Sequence, residues 1–239
     1  IYPCLNMDEK VKMNGSDLIP EVNQKITRHV NSLSDPNRAS RKRGLDGIKT
    51  ELFGKDLPCE TVTNMYRDLQ GPLVLLMADP VEKCREITVT IVEKYIELTG
   101  DIESTSPLIV PMLVQRLGQQ DLIEPSEELR LQLTQLATAL VQLSKKKNGL
   151  YLDDYIKVLQ RTLIDPYYEV RKESCKCASI LSQSIPEFFH QQSESLIKPL
   201  LHSISHQHSR VRVAVVNAIG NNSLSIDRLD CGADCGQAV

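Results

Sequence analysis

The sequence predicts an all-α protein, an α-solenoid of stacked helical hairpins, and three observations carry that prediction. Apolar residues recur at helical spacing through most of the 239 residues. A short anchor motif returns at nearly constant intervals. The composition is rich in branched aliphatic residues, with 41% hydrophobic residues in all, but only 4% are aromatic and there is no Trp. Such a core suits small helices packed in layers; β-sandwiches and deep ligand pockets usually draw on aromatic side chains.

The anchors are Asp35-Pro36, Asp79-Pro80, Glu124-Pro125 and Asp165-Pro166, with a degenerate fifth at His206-Gln207. They lie 41 to 45 residues apart, the period of HEAT-type helix pairs. Six positions after each anchor stands an arginine: Arg41, Arg85, Arg130, Arg171 and Arg212. An acid before proline fits the start of a helix, the carboxylate as N-cap and the proline at N1, where its missing N–H costs nothing. Each anchor is therefore expected to cap the second helix of a pair. Each arginine, one and a half turns further on, is expected to reach the capping carboxylate of an adjacent repeat. Its planar fork makes directional bonds there, giving a ladder along the stack. About five hairpins follow.

The segments after the anchors have the spacing of amphipathic helices. One stripe is Cys84, Ile87, Ile91, Tyr95 and Leu98; the next is Leu129, Leu133, Leu136, Ala137, Leu140 and Leu143. A third is Val170, Ser174, Cys177, Ala178, Leu181 and Ile185, and a preceding helix shows Leu196, Ile197, Leu200, Leu201 and Ile204. Breaks are expected at Gly54–Pro58, Gly100–Pro107, Lys145–Gly149 and from Ile185-Pro186, too short to separate domains. The expected organisation is a disordered or non-native extension at 1–17, one solenoid over 18–220 and an irregular tail at 221–239. Met7 looks more like a start than Ile1, and the Gly- and Asp-rich tail offers no cap for the last apolar face. The chain is thus expected to be part of a longer array.

Composition narrows the chemistry. A net charge of -3 provides no basic field for nucleic acid or anionic lipid. Seven scattered cysteines suit reduced thiols in a cytosolic or nuclear setting. No apolar run reaches the ~20 residues that span a bilayer. His202, His206 and His208 with Cys175 and Cys177 have metal-ligand chemistry, but Cys-x-Cys on a helix points its thiols about 200° apart. Cys231 and Cys235 lack a second ligand pair. No nucleophile elbow, phosphate loop or Cys-His site is recognisable. The acidic pairs Glu127-Glu128 and Asp153-Asp154 match helix starts, and Lys145-Lys146-Lys147 a helix end, where each complements the dipole. The expectation is no catalytic residue, no metal and no cofactor. Tyr167 and Tyr168, beside the fourth anchor, are candidates for partner binding.

The fourth and fifth repeats carry a more specific likeness. The run Leu163-Ile164-Asp165-Pro166 with Val170-Arg171-Lys172-Glu173-Ser174-Cys175-Lys176-Cys177-Ala178 resembles the HEAT-repeat dynein axonemal assembly factors, the fifth of that named series. So do Phe189-His190, Ser193-Glu194-Ser195-Leu196-Ile197, Ile204-Ser205-His206-Gln207-His208 and Val211-Arg212-Val213-Ala214. The close likeness covers about 153–220, and the sequence departs from the family beyond Gly220. The resemblance implies a cytoplasmic scaffold for preassembly of outer and inner dynein arms. Dynein intermediate or heavy chains and co-chaperones would be its partners, with no nucleic acid and no membrane. A generic HEAT adaptor, of the transport-receptor or phosphatase-scaffold type, is the alternative that the repeat pattern alone leaves open.

Overall fold

The structure, a computed structural model, describes residues 15–220. Its helices are α1 (Gly15–Asn31), α2 (Arg38–Phe53), α3 (Cys59–Leu76), α4 (Glu82–Thr99), α5 (Ile102–Leu117), α6 (Glu127–Ser144), α7 (Leu152–Thr162), α8 (Tyr168–Ser184) and α9 (Pro186–His202). A further helix, α10, covers 209–220, and short 3-10 turns occupy Ser32–Ser34 and Lys145–Tyr151. Among the described residues there is no strand. Of the expected N-terminal extension, residues 15–17 belong to α1. The rest of it, the tail at 221–239 and Cys4, Cys231 and Cys235 lie outside the described residues.

The chain forms two compact units divided within α3, between Leu69 and Gln70. In the first, α1 packs on α2 around Val22, Ile26, Leu33, Leu45, Ile48 and Leu52. The two helices approach closely: a Cβ on Gly44 would lie 2.8 Å from the His29 carbonyl oxygen. Only the absence of a side chain there permits that approach.

The second unit is a stack. Helices pack on their sequence neighbours (α5 on α6, α7 on α8, α8 on α9) and also on the helix two places along. The latter contacts make two rows, α4–α6–α8 and α5–α7–α9. This is the contact pattern of an α-solenoid, in which each repeat buries its apolar face on its neighbours. Most of the expected stripes form the core: Cys84, Ile87, Ile91 and Tyr95 of α4, Leu129 to Leu140 of α6, and Val170 to Leu181 of α8. The stripe ends depart from it. Leu98 and Leu201 are exposed and Leu143 is half-buried, and Ile204, also exposed, lies in the turn beyond the end of α9.

The break at Gly54–Pro58 lies between α2 and α3 as expected, whereas the later ones differ from expectation. Gly100, at φ 65°, ends α4 in the left-handed conformation open to glycine. Asp101 starts α5 at once, its carboxylate accepting from Ser104 N at 3.2 Å and from the hydroxyls of Ser104 at 2.6 Å and Tyr95 at 2.9 Å. Pro107 therefore lies inside α5 instead of in a linker. Lys145–Gly149 is a 3-10 turn, and Pro186 begins α9 directly after α8.

Candidate functional site

The anchors fall where the two helices of each pair meet, but they do not cap the second helix. The N-caps are Asn37, Val81, Ser126 and Tyr167, each two residues beyond its anchor. Asn37 and Ser126 supply the side-chain cap, to Ala39 N at 2.9 Å and Leu129 N at 3.4 Å. The anchor carboxylate accepts instead from the backbone N–H two residues on. Asp35 binds Asn37 N at 2.8 Å, Asp79 binds Val81 N at 2.7 Å, Glu124 binds Ser126 N at 3.2 Å and Asp165 binds Tyr167 N at 2.8 Å. The geometry is that of an Asx-type turn. It corrects the expected cap for a physical reason: one N–H occupies one oxygen lone pair, which leaves the carboxylate free to face another helix.

Glu124 and Asp165 use that freedom. Arg85 of α4 donates Nε and Nη2 to the two oxygens of Glu124, at 2.8 and 2.7 Å. Arg130 of α6 does the same to Asp165, at 2.8 and 3.0 Å. All four side chains are less than a tenth exposed. Each fork thus joins one helix pair to the turn of the next, with both charges desolvated and both fully matched.

The six-residue offset has a second meaning that sequence reading missed. Every ladder arginine also donates to the carbonyl of its own anchor. The bonds run from Arg41 to Asp35 at 2.9 Å, Arg85 to Asp79 at 2.8 Å, Arg130 to Glu124 at 3.0 Å and Arg212 to His206 at 2.8 Å, and Arg171 Nε bonds the Asp165 carbonyl. The arginine closes its own turn first and reaches across the stack second. Arg171 does only the first among the described residues, because the next anchor, position 206, holds histidine where the others hold acids; Arg212, in the last described turn, also does only the first.

Arg116, near the end of α5, was not singled out by any repeat signal. It donates Nη2 to Glu124, which therefore serves two guanidiniums. Burial pushes the Glu124 carboxyl upward; bonds from Arg85, Arg116 and Ser126 N, with the Arg85 charge, reverse that and hold it below the usual carboxylate range.

Beside the fourth anchor, Tyr167 and Tyr168 are half-buried, with ring centres 5.6 Å apart in an edge-on arrangement. Tyr168 lies 4.4 Å from the ring of His208, in the turn of the next pair, and His208 lies 5.3 Å from His206. His206 Nδ1 accepts from His208 N at 3.1 Å, so this ring carries the turn bond that the carboxylates carry elsewhere. Among the described residues no group of three or more His, Cys, Asp or Glu side chains could hold a metal. Cys175 and Cys177 are both buried in the core, and burial pushes each thiol up to about 12. Among the described residues no helix is long and apolar enough to cross a membrane.

Comparison with known proteins decides the family. A family model described as dynein axonemal assembly factor 5-like, TPR repeats, matches residues 32–225, a span that holds every anchor and every ladder arginine. The chain belongs to the dynein axonemal assembly factor 5 family. It is 46% identical over 200 residues to dynein axonemal assembly factor 5 of Xenopus laevis, covering 84% of this chain and 24% of that protein. To the Homo sapiens protein of the same name it is 33% identical over 224 residues, covering 87% of this chain and 26% of the other. The chain thus spans about a quarter of the length of these curated relatives. The family match begins well before the 153–220 stretch that carries the close resemblance, and it runs slightly past Gly220. The family's description names TPR units, yet the anchor spacing of 41 to 45 residues is longer than the ~34 of such a unit and matches HEAT pairs. In fold, the crystal structure of an engineered protein is similar at a TM-score of 0.59 and 14% identity, over 87% of this chain and 88% of that one.

Proposed function

We propose that this chain is a segment of a cytoplasmic scaffold that helps preassemble axonemal dynein arms by binding their protein subunits. The observation that carries the reading is family membership, read together with the buried forks of Arg85 on Glu124 and Arg130 on Asp165. A scaffold gains affinity when its surface is ordered before the client arrives. Bidentate pairs that lock successive turns supply that order. The charges spent on them are structural, so the proposed action is binding without catalysis, metal or cofactor.

Tyr167 and Tyr168 belong to the proposed docking edge. They sit on a turn where two successive pairs meet, and tyrosine combines apolar area with a polar tip at little entropic cost. Dynein intermediate or heavy chains, with co-chaperones, are the proposed partners. The test is affinity purification of the full-length protein from ciliated cells, followed by quantitative mass spectrometry. Enrichment of dynein arm subunits over a mock purification supports the proposal, and their absence sinks it.

A further inference from the structure

The ladder is closed at the steps from Arg85 and Arg130 and, among the described residues, open at the step from Arg171. Arg85 finds Glu124 and Arg130 finds Asp165, but the step from Arg171 leads to a turn whose anchor is His206. Arg171 is half-buried, and among the described residues the one hydrogen bond of its guanidinium runs from Nε to the Asp165 carbonyl. Both terminal nitrogens are left without a partner there. The acids on either side are already engaged: Glu169 by Lys172, and Glu173 by Lys176 at 3.2 Å. Arg212 spends its Nη1 on the His206 and Gln207 carbonyls, which holds its guanidinium beside the same turn. The rings of Tyr168 and His208, tilted 32° to one another, belong to the same pair of turns.

We propose that Arg171, with His206 and Arg212 around it, is an open rung that binds a carboxylate carried by an acidic segment of a partner protein. The incoming group takes the place that Glu124 and Asp165 occupy in the closed rungs. A planar carboxylate matches the guanidinium fork, as it does at both of those steps. Arg171, Arg210 and Arg212 gather at this turn, where Lys172 already offsets Glu169, in a chain whose net charge is -3, so acidic peptides are drawn to this turn and not to the molecule as a whole. The inference extends the reading of the Tyr167–Tyr168 edge as a docking surface and gives that edge an electrostatic preference.

The test uses the full chain and two fluorescein-labelled peptides, octaglutamate and octaglutamine, titrated by fluorescence anisotropy at fixed ionic strength. Octaglutamate should bind and octaglutamine should not. R171Q should weaken octaglutamate binding about tenfold, the loss expected for a charge-assisted fork. R171K, which keeps the charge and loses the fork, should fall between. H206D should close the rung from within: octaglutamate affinity drops similarly while the melting temperature rises. Octaglutamate binding that neither R171Q nor H206D alters overturns the proposal, as does no binding at all. Inorganic phosphate displacing the peptide far better than acetate at equal ionic strength would make this a phosphate site and also overturn it. No dynein subunit enters this assay, so its failure leaves the scaffold reading untouched, and failed co-purification leaves the rung untouched.

Discussion

Arg130 grips Asp165 with two parallel hydrogen bonds, 2.8 and 3.0 Å long, while tying the Glu124 carbonyl of its own turn at 3.0 Å. One side chain therefore fixes two turns in register. Both members of the pair have only 4% of their side-chain surface exposed, so removing one leaves an uncompensated charge in the interior.

R130M should accordingly destabilise the protein by about 3–5 kcal/mol. R85M should cost less, about 1–3 kcal/mol, because Glu124 keeps the second guanidinium of Arg116. Chemical denaturation of the two variants beside the parent chain makes the comparison. Equal losses would show that Arg116 does not support Glu124.

Two carboxyls should give pH dependences of opposite sign. The Glu124 carboxyl is held below the usual range, so its contribution to stability is complete above the unfolded-state value and disappears as pH falls through the folded one. The stability gap between parent and E124Q should then narrow on acidification. Burial, with Glu97 nearby, pushes the Glu93 carboxyl up to about 7. Its ionisation opposes folding increasingly as pH rises from 4.5 toward 7. E93Q should be more stable than the parent at pH 8 and nearly equal to it at pH 4.5. Thermal melts across that range test both signs, and a gap that does not move with pH refutes the assignment.

The cysteines should differ in reactivity. Cys59 is half-buried, whereas Cys84, Cys175 and Cys177 are buried. With thiols pushed up to about 12, Cys175 and Cys177 carry almost no thiolate near pH 8. Iodoacetamide followed by peptide mass spectrometry should label Cys59 well before the three buried thiols in the folded chain. Denaturant should remove the difference.

The tyrosines should separate stability from binding. Y167A should change stability by about 1 kcal/mol or less, whereas Y168A also gives up the ring contact with His208, worth about 0.5–1.5 kcal/mol. Both should reduce recovery of dynein subunits in the affinity purification while the circular dichroism spectrum stays helical. Unchanged recovery from both would remove the tyrosines from the docking edge.

Much of this architecture is legible in the sequence. The anchors at Asp35, Asp79, Glu124, Asp165 and His206 recur with a period close to one helix pair. The apolar stripes show which face of each helix is buried, because a helical period survives in sequence without knowledge of the partner. The family likeness rests on the same residues. Sequence could not distinguish a capping acid from one turned toward a neighbouring helix, since both use an acid next to proline. The difference lies in which N–H the carboxylate meets, two residues on or further into the helix.

Sequence by itself determined the helices, their pairing and the arginines that belong to each turn, all of them properties of short range along the chain. Only the tertiary structure decided where those arginines point. Arg116 shares Glu124 with Arg85, a meeting of residues from three elements that no period records. Arg171 carries the same motif as Arg130, yet its rung stands open among the described residues because the next turn presents His206. A charge becomes structural or available according to what the adjoining repeat brings to it, and that is settled by packing.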